Sequence, residues 1–304
     1  MCVVKMDLIS EFVRDCELRG LELRTVKIYK GSIYRFLKKY PDPTICTKHE
    51  ILDYLGYLQS RDIAIGTIKH NFAAIAGLYD YLLFCEKVNV NPVNQIRKRY
   101  LNQPEMPENR QIPELHEVRQ LLTSIEPESV LERTIVTFLA KTAGRKGEFL
   151  DLKEDDIDLK KDMIYWPSKK KRKVRLGFID PELHDMLEEY LAWRSSQGPK
   201  TGYLWISNTG YRIHKDYVNE VIQHYARPLG LHNHYGPLHT RFTSHCLRGF
   251  FTTQMQRAGM QEIYINWLRG DSLKKKTWAN NYLEFDPELV RKEYLSCVPE
   301  LIRS

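Results

Sequence analysis

The residues best suited to chemistry fall in four short segments of this 304-residue sequence. The first segment contains Arg145, with Glu148 three residues further along the chain. A helix that begins there would place both side chains on one face, so that the carboxylate could fix the guanidinium. An ordinary surface ion pair at a helix start has the same pattern. A guanidinium fixed in this way is suited to binding an oxyanion.

The second segment is a basic turn between two predicted strands. Six of the eight residues from Ser168 to Arg175 are Lys or Arg, namely Lys169, Lys170, Lys171, Arg172, Lys173 and Arg175. A solvated turn or a localisation signal would also be basic. Cations packed this densely favour contact with the phosphate backbone of a nucleic acid. We therefore predict that this turn binds DNA.

The third segment contains His245 and Arg248, three residues apart at the predicted start of a helix. The positive end of the helix and both side chains would converge on an anion bound there. The same spacing also occurs in helices with no functional role. The pair therefore indicates a functional site only in combination with the other segments.

The fourth segment ends at Tyr282, in a short helix that we predict after the glycine turn at Gly270. Asp271 follows the glycine directly, and the stretch between the turn and the tyrosine is basic, with Lys274, Lys275 and Lys276. A tyrosine at helical spacing usually packs in a core. When activated, however, its hydroxyl can attack phosphorus and form a covalent intermediate.

Together these residue types are suited to transesterification of a phosphodiester without a metal or a nucleotide cofactor. Two arginines can neutralise the charge that develops on the nonbridging oxygens. A lysine whose pKa is lowered by neighbouring cations can protonate the leaving oxygen. The sequence has no G-x-x-x-x-G-K-[ST] loop. A zinc site in the histidine-rich stretch 232–245, with Cys246, is the alternative, but the spacing of its ligands is irregular. We predict no cofactor and no metal.

Helices and strands must hold these four segments in place. The hydrophobic pattern predicts that they are arranged in two domains. Residues 1–100 show apolar residues at helical spacing, which predicts an all-α domain with a helix capped by Thr67. Residues 101–113 contain three prolines and no apolar period, which is typical of a linker. Residues 114–304 form the second domain.

The second domain is predicted to mix helices with short strands. Strands are expected at 157–159, 163–166 and 174–179, and the basic turn joins the last two. Helices are expected at 130–141 (ended by Gly144), from Pro181 to Trp193, and at 214–227, 246–258, 261–268, 274–283 and 287–296. The predicted fold class is mainly α with a small β-sheet: an all-α N-terminal domain followed by an α+β domain.

Composition agrees with a soluble protein that acts on a polyanion. Lys and Arg total 46 against 39 Asp and Glu, which gives a formal net charge of +7. The six cysteines form no C-x-x-C pair, which favours reduced thiols. The N-terminus is not typical of a signal peptide, and no apolar run approaches the length of a membrane span. We therefore expect a cytoplasmic protein that does not bind membranes.

The order and spacing of the four segments resemble the catalytic domain of the tyrosine recombinase, or phage integrase, family. R-x-x-E is followed by a lysine in a β-hairpin, then by H-x-x-R, and then by a tyrosine. The helical domain before them resembles the SAM-like core-binding domain of that family, so the resemblance covers almost the whole chain. The last segment is similar to the archaeal integrases in particular.

The resemblance implies a role for each motif residue. Arg145 and Arg248 would clamp the scissile DNA phosphate, and Tyr282 would attack it to form a 3′-phosphotyrosyl bond. Lys173, with Lys171 as the alternative, would protonate the leaving 5′-oxygen. In addition, His245 would support proton transfer or phosphate binding, and Glu148 would position the first arginine.

One position departs from the family pattern. Many members have His or Trp directly after the last glycine, where this chain has Asp271. An ionised carboxylate cannot donate a hydrogen bond to a phosphate and would repel it. The three lysines that follow, or Trp278, could take over that contact. For the nucleophile, Tyr264 and Tyr294 are alternatives, although neither follows the glycine turn at suitable spacing.

The predicted function is a site-specific DNA recombinase that integrates or excises a mobile element or performs a related strand exchange. By resemblance it would bind double-stranded DNA as a C-shaped clamp and assemble as a tetramer on paired sites. Its C-terminal segment, predicted as an amphipathic helix over 287–302, would pack on a neighbouring protomer or on its own domain. A DNA-binding module without catalysis and a type IB topoisomerase are the alternatives.

Overall fold

Helices dominate the fold. A computed structural model describes residues 2–102, 110–167, 175–271 and 286–302 of the chain. These residues form helices and one small antiparallel sheet, which confirms the predicted fold class. The chain divides into two compact units, residues 1–106 and 107–304. Among the described helices, none combines the length and the apolar character that a bilayer crossing requires.

The first unit is all α-helical. Its helices are α1 (Cys2–Leu18), α2 (Leu23–Lys39), α3 (Lys48–Gln59), α4 (Ile65–Phe84) and α5 (Pro92–Tyr100). Aromatic side chains that include Phe12, Phe36 and Phe72 fill its core. Helix α4 begins at Ile65, before the predicted cap at Thr67, and has no side-chain cap. Ile65 is exposed and Ile68 is buried, so burial of the apolar face that begins at Ile68, rather than a cap, stabilises the start of this helix.

The second unit surrounds a buried central helix. Its helices are α6 (Leu115–Thr123), α7 (Val130–Thr142), α8 (Lys146–Asp151), α9 (Pro181–Ser196), α10 (Tyr217–Ala226), α11 (Ser244–Arg257), α12 (Glu262–Arg269) and α13 (Pro287–Cys297). Helix α7 packs against α9 and α11. Nearly every residue of α7 after its first turn is buried, as expected for a helix without an exposed polar face.

The small sheet of the second unit packs against α12 through its third strand. Its strands are β1 (Ile157–Asp158), β2 (Met163–Trp166) and β3 (Arg175–Phe178), paired antiparallel in that order. Trp166, the last residue of β2, pairs with Arg175, the first residue of β3. Of the predicted DNA-binding turn, residues 168–174 lie outside the described residues, and Arg175 lies within them.

Two glycines make room for one tryptophan at this hairpin. A Cβ atom on Gly144 would lie 2.3 Å from Cη2 of Trp166, and one on Gly177 would lie 2.7 Å from its Nε1. Gly144 is therefore required for close approach. It was predicted to end α7, but the left-handed residue that does so is Ala143, at φ 52°.

The C-terminal segment packs on its own unit. Val290 and Tyr294 of α13 are buried. The helix ends at Cys297, so the prediction of a helix up to Ile302 is wrong. The cause is Pro299, because the residue before a proline is driven out of the helical region, and Val298 is extended at ψ 129°.

Candidate active site

Arg145 is the N-cap residue of α8 and is fixed by a carboxylate in the first turn of that helix. The backbone N–H of Arg145 donates to Glu148 Oε2 at 3.2 Å, and its Nη1 donates to Glu148 Oε1 at 3.0 Å. The sharp left-handed turn at Ala143 separates α8 from α7, which directs the Arg145 side chain away from the core. Its side chain is 39% exposed, so a ligand can reach it.

Arg175 is turned into the protein. Its Nη2 donates to Glu148 Oε2 at 2.6 Å, its Nη1 donates to the Leu268 carbonyl, and its guanidinium lies 4.5 Å from the centre of the Trp166 ring. Burial lowers the pKa of Arg175 to about 10, so it remains charged at neutral pH. The DNA contact of Arg175 stays a prediction, and within the protein its guanidinium contacts Glu148, Leu268 and Trp166. Arg175 holds Glu148, which in turn holds Arg145.

Arg248 lies on the first turns of α11 and is largely buried. Its Nη1 donates to the Ala143 carbonyl, and its Nη2 donates to the Arg269 carbonyl at 3.0 Å and to Asp271 Oδ1 at 2.8 Å. Burial lowers the pKa of Arg248 to about 10, while the neighbouring carboxylate of Asp271 opposes that shift. The guanidinium is therefore fully protonated and fixed in one orientation.

The C-terminal end of α12 gathers these arginines. The carbonyl oxygens of Leu268, Arg269 and Gly270 accept hydrogen bonds from Arg175, Arg248 and Arg145 respectively. The last carbonyls of a helix have no partner within the helix and carry its negative partial charge. One helix end thus positions cations from α8, β3 and α11 in a single cluster.

Gly270 is required at this helix end. It adopts the left-handed conformation at φ 63°, and its N–H donates to the Trp267 carbonyl. A Cβ atom there would lie 2.8 Å from Cδ of Arg175. Glycine therefore provides both the turn and the space for the arginine.

The turn directs Asp271 into the arginine cluster. Its Oδ1 accepts from Arg145 Nη2 at 2.5 Å and from Arg248 Nη2 at 2.8 Å, and its Oδ2 lies 3.0 Å from Arg269 Nε. We expected this carboxylate to repel a phosphate. In the structure it occupies the donors that a phosphate would use.

His245 lies beside the cluster, in the first turn of α11, with an exposed side chain. Partial desolvation lowers the pKa of His245, and the positive charges of Arg110, Arg248 and Lys146 lower it further. The imidazole is therefore neutral at pH 7, as a base or a hydrogen-bond donor in phosphate chemistry would be.

We expect the ring of His245 to titrate below the ordinary histidine pKa of about 6.5. Because the unfolded chain then binds more protons, this group disfavours folding only below about pH 6.5, and its cost disappears as the pH rises. Long-range ¹H–¹⁵N NMR on the full chain, with His245→Gln to assign the signal, measures the midpoint. A midpoint at or above 6.5 would contradict this placement.

The remaining predicted site residues lie outside the described residues. They are Tyr282, Lys169, Lys170, Lys171, Arg172, Lys173, Lys274, Lys275, Lys276 and Trp278. The alternative nucleophile Tyr294 is described and is 1% exposed. Burial raises the pKa of Tyr294 well above its ordinary value, so this hydroxyl is a poor nucleophile. Tyr264 lies on α12 and packs against the core cluster of α12 and α13.

The part of the chain that the structure describes contains no group of three or more His, Cys, Asp or Glu side chains placed to hold a metal ion. In the histidine-rich stretch, His232 is buried, and its Nδ1 accepts from the Phe242 backbone N–H at 3.1 Å. That contact gives His232 a structural role in the loop before α11.

Two contributors to the site were missed by the sequence analysis. Arg269 was given no role, although charges of opposite sign on both sides of Gly270 could have indicated an ion pair. Trp166 was assigned only to a strand. Its stacking on Arg175 depends on the hairpin register, which no local pattern indicates.

Comparison with known proteins gives consistent matches along the chain. Residues 113–284 match the phage integrase family, and residues 8–86 match the family described as phage integrase, N-terminal SAM-like domain. The chain is 24% identical over 280 residues to the tyrosine recombinase XerC of Roseiflexus castenholzii, covering 88% of this chain and 86% of that protein.

Two further similarities extend this result. The chain is 25% identical over 272 residues to the tyrosine recombinase XerA of Pyrococcus furiosus, covering 88% of this chain and 86% of that protein. In fold it is similar to the lambda integrase dimer bound to a COC′ core site, with a TM-score of 0.71, 14% identity and coverage of 93% and 98% of the two chains.

Proposed function

Because this chain belongs to the phage integrase family of tyrosine recombinases, which cleave and rejoin DNA through a phosphotyrosyl intermediate, we propose that Tyr282 is its nucleophile and that Arg145 and Arg248 bind the scissile phosphate. The observation that carries this assignment is the convergence of the two guanidiniums on one anionic oxygen. Both donate to Oδ1 of Asp271. Two forked cations around one oxyanion are the arrangement that stabilises the crowded charge of a phosphoryl transition state.

The remaining roles follow from the chemistry of the step. The Tyr282 hydroxyl gives up its proton to a neighbouring base as its oxygen attacks phosphorus, the bond from phosphorus to the 5′-oxygen breaks, and the leaving oxygen takes a proton from Lys173 or Lys171. His245 stands beside Arg248, neutral, to accept or donate a proton. The 3′-phosphotyrosyl bond conserves the energy of the phosphodiester, so rejoining requires no ATP. Glu148 acts by orienting Arg145.

The partner in this proposal is double-stranded DNA that carries recombination sites. The lambda integrase that this chain resembles in fold was solved as a dimer bound to a core site, which supports this choice. The turn at 168–174 and the three lysines at 274–276 would neutralise backbone phosphates near the cleavage point. Assembly of a tetramer on two paired sites, for integration or excision of a mobile element, completes the proposed function.

A catalytically silent DNA-binding module is the second candidate. The Asp271 carboxylate favours it, because this carboxylate occupies the phosphate-binding arginines. The two candidates differ in one observable, which is a covalent bond between the protein and DNA.

The test is to trap this bond and locate it. The full chain is incubated with nicked duplexes taken from the DNA that flanks its gene, and SDS-resistant adducts are digested with trypsin and nuclease. Cleavage at Lys and Arg places the three candidate tyrosines on different peptides: Tyr264 on 258–269, Tyr282 on 277–291 and Tyr294 on 293–303. Mass spectrometry then identifies the modified peptide.

We expect the nucleotide remnant on peptide 277–291, which contains a single tyrosine. A remnant on either of the other two peptides would overturn the assignment of Tyr282. The chain could also bind a duplex from the same DNA region tightly and in a salt-dependent way, yet form no adduct. That outcome would favour the silent module.

A further inference from the structure

Asp271 is surrounded by three arginines from three elements. Its Oδ1 accepts from Arg145 at 2.5 Å and from Arg248 at 2.8 Å, and its Oδ2 lies 3.0 Å from Nε of Arg269. The carboxylate is about one-third exposed, so it lies at the mouth of the cluster and not in its core. The chain itself therefore provides an anion at the entrance to the arginine pair.

This carboxylate uses the donors that the proposed function assigns to DNA. A carboxylate and a phosphate both present anionic oxygens to the forked N–H groups of arginine. Because the Nη2 atoms of Arg145 and Arg248 already donate to Asp271, a phosphate oxygen in the same place would meet a negative charge at contact distance. Phosphate and Asp271 cannot hold these donors together.

Arg269 provides a second position for the same carboxylate. It precedes Gly270, and its backbone carbonyl already accepts from Arg248. Its Nε lies 3.0 Å from Oδ2 of Asp271, whereas Arg145 and Arg248 contact Oδ1. The short Arg269–Gly270–Asp271 segment thus contains both an anion and a cation that pairs with its second oxygen.

We propose that Asp271 is an internal competitor that occupies the phosphate position of the DNA-free site, and that Arg269 is the positioning residue that retains Asp271 when a phosphate displaces it. The identity of that phosphate as the scissile group rests on the proposed function. The competition itself requires only residues 145, 248, 269 and 271. It explains how a chain with Asp after the glycine can still bind an anion there.

The test measures binding of inorganic phosphate to the full chain by calorimetry, at constant ionic strength with chloride as the balancing anion. Asp271→Asn should bind phosphate about tenfold more tightly than the wild type, because a competing charge at contact distance is removed. Glu188→Gln, on the exposed face of α9, removes the same charge and should leave phosphate binding unchanged. Asp271→Ser repeats the measurement with a second uncharged side chain, in case the asparagine variant folds poorly.

A double-mutant cycle separates the role of Arg269. Arg269→Gln should weaken phosphate binding about threefold, because Asp271 then pairs more strongly with the other two arginines. In the Asp271→Asn background the same change should have no effect. An equal loss in both backgrounds would mean that Arg269 binds phosphate directly, and would overturn its assignment as a positioning residue.

The outcome for Asp271 is equally decisive. Unchanged or weaker phosphate binding in both Asp271→Asn and Asp271→Ser would overturn the competition and make Asp271 a residue that orients the arginines. If phosphate binding rises as expected while no DNA adduct forms on Tyr282, the competition stands and the proposed function fails. If an adduct forms on Tyr282 but phosphate binding does not change, the proposed function stands and the competition fails.

Discussion

Arg248→Gln should lower the rate of adduct formation on a nicked duplex by about 10²–10³-fold, the usual effect of removing one donor from a transition-state oxyanion. Glutamine is two atoms shorter than arginine and has neither its charge nor its fork of N–H donors. Arg145→Gln should lower the rate by a similar factor, because both guanidiniums converge on the same oxygen of Asp271. Single-turnover trapping measures both rates, and Tyr282→Phe, which should give no adduct, defines the zero of the assay.

The two arginine variants should differ in stability. The side chain of Arg248 is only 9% exposed and satisfies the carbonyls of Ala143 and Arg269, whereas that of Arg145 is 39% exposed. Removing Arg248 therefore leaves buried acceptors unpaired, at a cost of about 1–3 kcal/mol. Removing Arg145 leaves its partners accessible to water, so the loss of stability should be smaller than for Arg248→Gln.

This difference separates a chemical role from a structural one. If Arg145→Gln keeps its stability and loses rate, the loss comes from the phosphate step. A rate within tenfold of the wild type in either variant would contradict the assignment of the pair as the phosphate clamp. Arg248→Lys refines the test, because a lysine keeps the charge but cannot donate to two acceptors in one plane.

Local spacing predicted those parts of the site that local geometry determines. Arg145 and Glu148 meet because residues three apart share a helix face, and His245 and Arg248 begin a helix as expected. The fold class was also predictable, because hydrophobic period distinguishes helices from strands. The strand over Met163–Trp166 was predicted to the residue.

Long-range contacts explain what the sequence did not predict. Arg145 and Asp271 are 126 residues apart, and their contact depends on how α12 approaches α8. The repulsion expected between Asp271 and a phosphate stays a prediction, and the sequence did not indicate that three nearby cations hold the carboxylate. Arg175 was assigned to DNA by its charge alone, whereas the hairpin register turns it onto Trp166.

A buried lysine illustrates the same limit. Lys141 is on a helix that the sequence placed only by its apolar residues, and its side chain is 0% exposed. Its Nζ lies 2.6 Å from Asp180 Oδ2 and 2.7 Å from Glu182 Oε2, and it donates to the Pro299 carbonyl at 3.0 Å. No local pattern distinguishes this lysine from a solvated one.

This cluster attaches the C-terminal segment to its own unit. Burial raises the pKa of Asp180, whereas hydrogen bonds from Lys141 and from the backbone N–H groups of Leu301 and Ile302 outweigh burial and lower the pKa of Glu182. Both carboxylates depend on the positive charge of Lys141 to offset the cost of burying their own negative charge. Removal of the lysine would therefore leave two buried acids without their shared cation.

We expect Lys141→Met to destabilise the second unit by about 3–5 kcal/mol, the cost of breaking a buried ion pair by removing one partner. All five tryptophans lie between residues 166 and 278, so urea unfolding followed by tryptophan fluorescence reports on this unit alone. Lys292→Met, on the exposed side of α13, is the matched control and should change the free energy of unfolding by less than about 0.5 kcal/mol.

The pH dependence identifies the cause of this loss. In Lys141→Met the pKa values of both acids should rise above their unfolded values, so the variant should regain stability relative to wild type as the pH falls and the acids take up protons. Adding Asp180→Asn and Glu182→Gln should recover part of the loss at pH 7. If the triple variant is as unstable as Lys141→Met at every pH, packing of the lysine stem, and not its charge, holds the C-terminal segment in place.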